Sequence, residues 1–424
     1  MEVVPRKRRP YSTLEKLEMK KTLVALAALA SVSAFAQVTM SGYIDRGYMS
    51  TNNTNDLRDA KAVGSQAGTT TLIIKGNEDM GGGLSAGFLI ATDWSEAAGQ
   101  TQDGSAPTVG QAGFANSQSY IDIASKDMGT LRLGNPNSEV LVGVTSVASP
   151  AFSTGVGSAY STNFSIHNGY GTGTTGGNNI FANSVVGIGL GAVATNVGQR
   201  AIRQTNTIKY ISPTFNGFSC TYSYVAKNDV GGSSSTTGSG GTTDVVGVKA
   251  FSLNYANGPL TAIYAQDKVS VGAYGSTALA NNSTTGGTYL QANTSTTMSI
   301  LGASYQVLPT LKLHAGVGTS TNTGQTAFTA TTLGQGLVAN TTSSQYGATY
   351  DLNSNIVLMG QMVTVDDKSA VNTDRKLTGF GADYKLSKLT RFYVRTDSIN
   401  FASNLTASSG TAQKRTAIGF SSSF

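Results

Sequence analysis

Two histidines, one cysteine and scattered carboxylates are the groups in this chain that could make or break bonds. A hydrolase needs a nucleophile beside a base, and neither His167 nor His314 stands near a serine elbow. The carboxylates show no pair at metal-ligand or glycosidase spacing. Asp56 and Asp59, with Asn52 to Asn55, could graze a cation, but such a polar cluster reads as a solvated turn. Cys220 is alone, so no internal disulfide framework exists, and it alternates with Phe218, Tyr222 and Tyr224 on an apolar face as a packed thiol. No phosphate loop, zinc pattern or haem motif is present, so no catalytic residue, metal site or cofactor is expected.

What recurs is a cation placed between apolar residues at a spacing of two. Lys75, Arg132, Arg203, Lys209 and Lys312 fall on one side, because Ile74, Leu131, Leu133, Ile208, Leu311 and Leu313 claim the other. A period of two means a strand, with one face apolar and one charged. Arg391, Arg395 and Arg415 fit the same alternation. The chemistry such rows can do is electrostatic. They set the field of an enclosed polar space, or act as generic charges that keep it wet.

The elements carrying these residues are strands throughout. The last eleven residues, 414–424, alternate Phe424, Ser422, Phe420, Ile418 and Thr416 against Ser423, Ser421, Gly419, Ala417 and Arg415. Sixteen such segments run from Val38–Ser50 to Lys414–Phe424, joined alternately by tight turns and long connections. The turns include 77–83, 125–128, Pro213–Thr214 and Asn257–Gly258. The long connections are 51–68, 95–114, 136–203, 227–243, 268–295, 320–342, 366–375 and 400–413. An even count with both termini on the tight-turn side is the pattern of an antiparallel transmembrane β-barrel with short periplasmic turns. Closure removes the sheet edge, which lipid requires. Charged residues are 12% of the chain, about half the usual ~25% for a soluble domain, and 51 Gly stand against 8 Pro, which suits a polar lumen and long Ser/Thr/Gly/Asn loops.

Residues 1–36 stand outside this pattern. Met19-Lys-Lys21, the apolar run Thr22–Val32 and Ala34-x-Ala36 form a secretory signal, with cleavage expected between Ala36 and Gln37. The run is shorter than the ~20 apolar residues that span a bilayer. Residues 1–18, with Arg6 to Arg9, read as an upstream extension outside the fold, leaving 37–424 as one barrel. These 36 residues hold seven Lys/Arg and three Asp/Glu, so 29 basic residues fall to 22, 23 acidic to 20, and the net charge from +6 to +2. That is no nucleic-acid footprint.

Three stretches carry a resemblance: Lys75-Gly-Asn-Glu-Asp-Met-Gly-Gly-Gly-Leu-Ser-Ala86, Met128-Gly-Thr-Leu-Arg-Leu-Gly134, and Ile208-Lys-Tyr-Ile-Ser-Pro213 with Phe215-Asn-Gly-Phe218. With the terminal Phe424, they resemble the general trimeric porins of Gram-negative proteobacteria. The resemblance implies a homotrimer in outer-membrane lipid that passes ions and small hydrophilic solutes by diffusion. It also implies that Phe424 is read by the insertion machinery, and that the third loop, here 136–203, folds into the lumen to form a constriction. The cations named above would line its wall, facing Glu139, the only acid of that loop. The chain departs from the family pattern at Asn135 and Thr71, where an arginine is usual, so two cations of the expected ladder are absent. The alternatives are a substrate-selective channel of the same architecture and, from another class, a secreted all-β adhesin. A barrel enzyme lacks its catalytic set.

Overall fold

The computed structural model describes residues 37–53, 60–93, 114–152, 154–159, 203, 206–226, 246–271, 295–323, 340–368, 374–401 and 412–424. Its strand segments are β1 (Gln37–Asn53), β2 (Ala60–Gly64), β3 (Thr71–Gly81), β4 (Leu84–Asp93), β5 (Ser119–Ser125), β6 (Gly129–Asn135), β7 (Thr207–Ile211), β8 (Phe218–Val225) and β9 (Val246–Asn257). They continue with β10 (Leu260–Val271), β11 (Ser295–Leu308), β12 (Leu311–Thr323), β13 (Asn340–Asp351), β14 (Ile356–Asp367), β15 (Arg375–Lys385), β16 (Thr390–Phe401) and β17 (Ala412–Ser423). Neighbours pair antiparallel, and β17 returns to β1. The long β1 pairs with β3 through Gln37–Tyr43 and with β2 through Gly47–Thr51, so β2 and β3 are two halves of one stave. The wall is therefore a closed antiparallel barrel of sixteen staves.

Two boundaries differ from the sequence reading in an instructive way. Residues 60–64 were expected in the first loop but pair with β1 as β2. Between β2 and β3 the chain leaves the wall, and the buried Asp45 fills the gap. Its carboxylate accepts N–H groups from Ala67 at 2.6 Å and Gly68 at 2.9 Å. The reversal after β7 is not at Pro213–Thr214. It lies at Asn216–Gly217, where both φ are positive (49° and 85°) and Phe215 and Phe218 exchange backbone hydrogen bonds. Two successive positive φ values match the right-handed twist of the flanking strands, which is why an Asn-Gly pair wins the turn.

The outer and inner faces sort as lipid demands and water would not. Val38, Met40, Ile121, Leu131, Leu133, Ile418 and Phe420 are exposed on the outside. The buried residues face inward, because a chain segment occupies the lumen. That segment leaves β6, makes one helical turn at Glu139–Val142 capped by the Ser138 hydroxyl, and continues through a wider turn at Gly143–Val147. Val140, Val144, Ala148, Phe152 and Val156 are buried against the wall. Gly316 makes room for the close approach, since a Cβ there would sit 2.6 Å from the Ala148 Cβ. The expected inward folding of the third loop is thus seen in residues 138–152 and 154–159.

Candidate functional site

Several backbone groups that this segment brings into the lumen meet groups of the wall, and others bond within the segment. Starting from β10, Asp267 accepts from the Val140 N–H at 3.4 Å. Gln345 of β13 donates to the Val144 carbonyl at 2.9 Å, and His314 Nδ1 of β12 lies 3.0 Å from the Ala148 carbonyl. Gln361 of β14 meets both the Ser149 hydroxyl and the Gly157 carbonyl. Asp397 of β16 accepts from the Gly157 N–H at 2.7 Å, and the Gln66 carbonyl from the Val156 N–H at 2.8 Å. Phe152 packs on Val357 and Met359, with the Arg395 guanidinium 5.1 Å from its ring centre. A segment satisfied in this way is a rigid shelf, since breaking any bond would strand a buried polar group.

The charged residues cluster where the shelf begins. Register places Asp122 opposite Arg132 and Arg132 opposite Lys209, all inward. Two cations directly opposite repel, and each here has an acid. Arg132 donates two hydrogen bonds to Asp122, at 2.7 and 2.8 Å, and its guanidinium lies 3.7 Å over the Tyr120 ring. Lys209 pairs with Glu139, and Glu139 also accepts from the Ser252 hydroxyl at 3.0 Å. The lysine also donates to the Asn137 carbonyl at 2.9 Å. Arg203 bridges to Asn137 and donates to Asp93 and Ser117, both at 2.8 Å. Three cations therefore meet three carboxylates, and the wall acids Asp93 and Asp122 supply two of them.

A second cluster lies across the lumen and sets three cations against two carboxylates. Arg391 and Arg395 both reach Asp383, each at 2.9 Å, so two guanidinium groups share one carboxylate. Arg391 also donates to the Tyr43 hydroxyl at 2.8 Å. Arg415 pairs with Asp397 through its Nε at 2.9 Å. The remaining cations of the sequence reading, Lys75 and Lys312, face inward away from both clusters, with no side-chain ion pair recorded among the described residues. The structure brings Arg132, Arg203, Lys209 and Glu139 together and leaves Lys75 and Lys312 apart.

The other sequence candidates are placed as follows. His314 lies under the Ala148 carbonyl and is buried. Cys220 shares the outer face with Phe218, Tyr222 and Tyr224. Where an arginine was expected after Gly134, the Asn135 amide donates to the Ser117 carbonyl at 2.9 Å; Thr71 caps the Thr92 carbonyl at 3.1 Å. Ala36, His167, Asp56 and Asp59 lie outside the described residues, and Gln37 opens β1. Sequence reasoning missed Asp383 and Asp397. Their parity on β15 and β16 could have revealed them, since Tyr393 sits opposite Asp383 with Arg391 and Arg395 on either side.

A family model described as Gram-negative porin matches residues 22–403. Outer membrane porin protein 32 of Delftia acidovorans is 31% identical over 268 residues, covering 60% of this chain and 62% of that relative. The chain thus spans less than two thirds of that relative's length. Among solved structures, an anion-selective porin from Comamonas acidovorans aligns with a TM-score of 0.66 at 20% identity, covering 92% of this chain and 100% of that one. In-vitro folded OmpT of Vibrio cholerae in its trimer form aligns at 0.54 with 11% identity, covering 92% and 99%. At these identities the structural likeness concerns the fold.

Proposed function

The chain belongs to the family of Gram-negative porins, and from that premise we propose that it forms a water-filled outer-membrane channel for passive diffusion of ions and small hydrophilic solutes. The observation that carries this reading is the shelf. A closed barrel with an apolar outside is narrowed by a rigid internal segment, and paired charges line the gap. Filtering then follows from pore size and from the field of the lining charges, with no bond chemistry required. The constriction would have Arg132, Arg203 and Lys209 on its wall and Glu139 on the loop, with Lys75 and Lys312 as further lumen cations. The apolar outer face speaks against a secreted adhesin, which would have to keep Leu131, Leu133 and Phe420 in water.

The functional unit is a homotrimer in this proposal. Support comes from the trimeric form of a structural neighbour and from the apolar outer faces of the early strands. The leader is removed between Ala36 and Gln37, leaving N- and C-termini in the periplasm. The deciding experiment is a planar-bilayer recording of purified protein. Stepwise, ohmic openings are expected, and their absence at adequate protein density would refute the channel. Mass spectrometry of the purified protein should find Gln37 at the N-terminus, and an earlier start would refute the cleavage site.

A further inference from the structure

Two lysines stand face to face on the outside of the barrel, and no carboxylate among the described residues pairs with either. Lys249 on β9 is directly opposite Lys268 on β10. Both are exposed, and both alternate with buried inward residues: Val248 and Ala250 around one, Asp267 and Val269 around the other. Side chains so paired have Cβ atoms ~4.5–5.5 Å apart, and like charges in that arrangement repel. The sequence reading put Lys268 in a solvated loop, where a lysine needs no explanation. On the outer face of a strand it needs one.

The register extends the pair into a ledge. Tyr224 on β8 is opposite Lys249, Thr297 on β11 is opposite Lys268, and Thr321 on β12 is opposite Thr297. All five residues therefore point outward in one row across five strands, and every one can donate a hydrogen bond. Among the described residues of β8 to β12 the one carboxylate is Asp267, and it is buried on the inner side. One step nearer the tight turns, the outer face carries exposed Tyr222 and Phe251 on β8 and β9 beside Gln266, Ser299 and Thr319, and two steps nearer it is apolar, with Leu253, Tyr264, Leu301 and Val317 exposed. The ledge thus marks the border of the apolar band on the side of the long loops. A tyrosine with lysines at such a border is what a membrane-water interface favours.

We propose that this ledge, Tyr224, Lys249, Lys268, Thr297 and Thr321, binds the phosphate-bearing headgroup of a lipid in the outer leaflet. An anion between the two ammonium groups turns their repulsion into a shared attraction, and the flanking hydroxyls supply further donors to phosphate oxygens. The lipid's acyl chains then lie along Leu253, Tyr264 and Leu301 below. The proposal rests on the orientation of the channel reading, with the long connections outside the cell. It assigns a lipid rather than a free anion because apolar surface continues below the lysines, at Tyr222 and Phe251 one step down and at Leu253, Tyr264, Leu301 and Val317 two steps down.

The test uses the protein extracted in mild detergent, stripped of lipid and titrated with bisphosphorylated lipid A, dephosphorylated lipid A and inorganic phosphate. Native mass spectrometry reads the bound species. Wild type should retain the bisphosphorylated lipid, and the double variant Lys249→Gln with Lys268→Gln should bind it about thirtyfold more weakly, at about fivefold per lysine. Dephosphorylated lipid should bind both proteins alike and weakly, and millimolar inorganic phosphate should not displace the lipid. Equal retention by wild type and double variant overturns the proposal. Displacement by inorganic phosphate reassigns the ledge to a free anion and overturns the lipid assignment. Heat-shifted migration on unboiled gels checks folding, and the single variant Lys268→Gln gives the same reading if the double one does not fold. Conductance should be unchanged, because neither lysine faces the lumen. Loss of conductance in wild type would count against the channel and not against the ledge.

Discussion

Gly42 and Phe424 exchange both of their backbone hydrogen bonds, Gly42 N–H to the Phe424 carbonyl at 3.0 Å and Phe424 N–H to the Gly42 carbonyl at 3.1 Å. The ladder that closes the barrel therefore runs to the final residue. The phenyl ring lies over Gly42, where a Cβ would come within 2.3 Å of it. Deleting Phe424 removes the last rung and the ring at once. Less heat-modifiable, folded protein should be recovered from the outer membrane. Unchanged recovery at low expression would show that the seam closes without it.

Lys209 and Glu139 pair at the start of the shelf, with side chains only 5% and 8% exposed. Lys209→Ala leaves a buried carboxylate without its cation, which in comparable settings costs about 3–5 kcal/mol. The expected outcome is a looser shelf, seen as noisier and larger single-channel currents. Adding Glu139→Ala should recover part of the loss, because the stranded charge goes with it. Identical traces from the single and double variants would show that the pair does not hold the shelf.

The three balanced pairs predict how selectivity responds to mutation. Asp122→Asn leaves Arg132 uncompensated and should move the reversal potential in a salt gradient toward anions. Arg132→Glu changes the local charge by two units and should move it further, toward cations. Both shifts should fade as salt rises, since screening shortens the reach of a charge from ~10 Å at 0.1 M to ~3 Å at 1 M. If neither variant moves the reversal potential at low salt, this cluster does not line the narrow zone. The pair of arginines on Asp383 would then be the next place to look.

Association should be visible on gels. Unboiled protein is expected to migrate as an SDS-resistant trimer and boiled protein as a monomer. A mass measurement in mild detergent that found monomer alone would refute the trimer.

Much of the wall was legible because a strand's period is two and its tight turns fix register. The Ser125 to Gly129 hairpin brings Asp122 opposite Arg132, and both residues could be assigned inward from Leu131 and Leu133. Phe215-Asn-Gly-Phe218 was read as a family motif, yet its turn was placed three residues early, because Pro213 ends a strand without reversing it. β2 was missed because five residues after a polar run carry too little alternation to register. The charge balance was legible only within hairpins. Arg203 meets Asp93 across 110 residues and Lys209 meets Glu139 across 70, and no local pattern reports such distances. The inward cations of the first cluster therefore read as a positive wall, when two of their three partners came from a strand and a loop far away in the chain.

The seat of the shelf also has a history along the chain. Its first anchor, Glu139 on Lys209, joins residues 70 apart, while Gly157 on Asp397 joins residues 240 apart. Contacts between distant residues carry a larger loop-closure cost, because more chain must be brought into place. The near end of the shelf can dock once β7 and β9 exist, but its far end has no seat until β16 is laid down. Closure of β17 on β1 then encloses a segment that can no longer swing out over the rim. The narrowing of the lumen is in this sense shared between the two halves of the chain, fastened at one end by a neighbouring strand and at the other by one of the last in sequence.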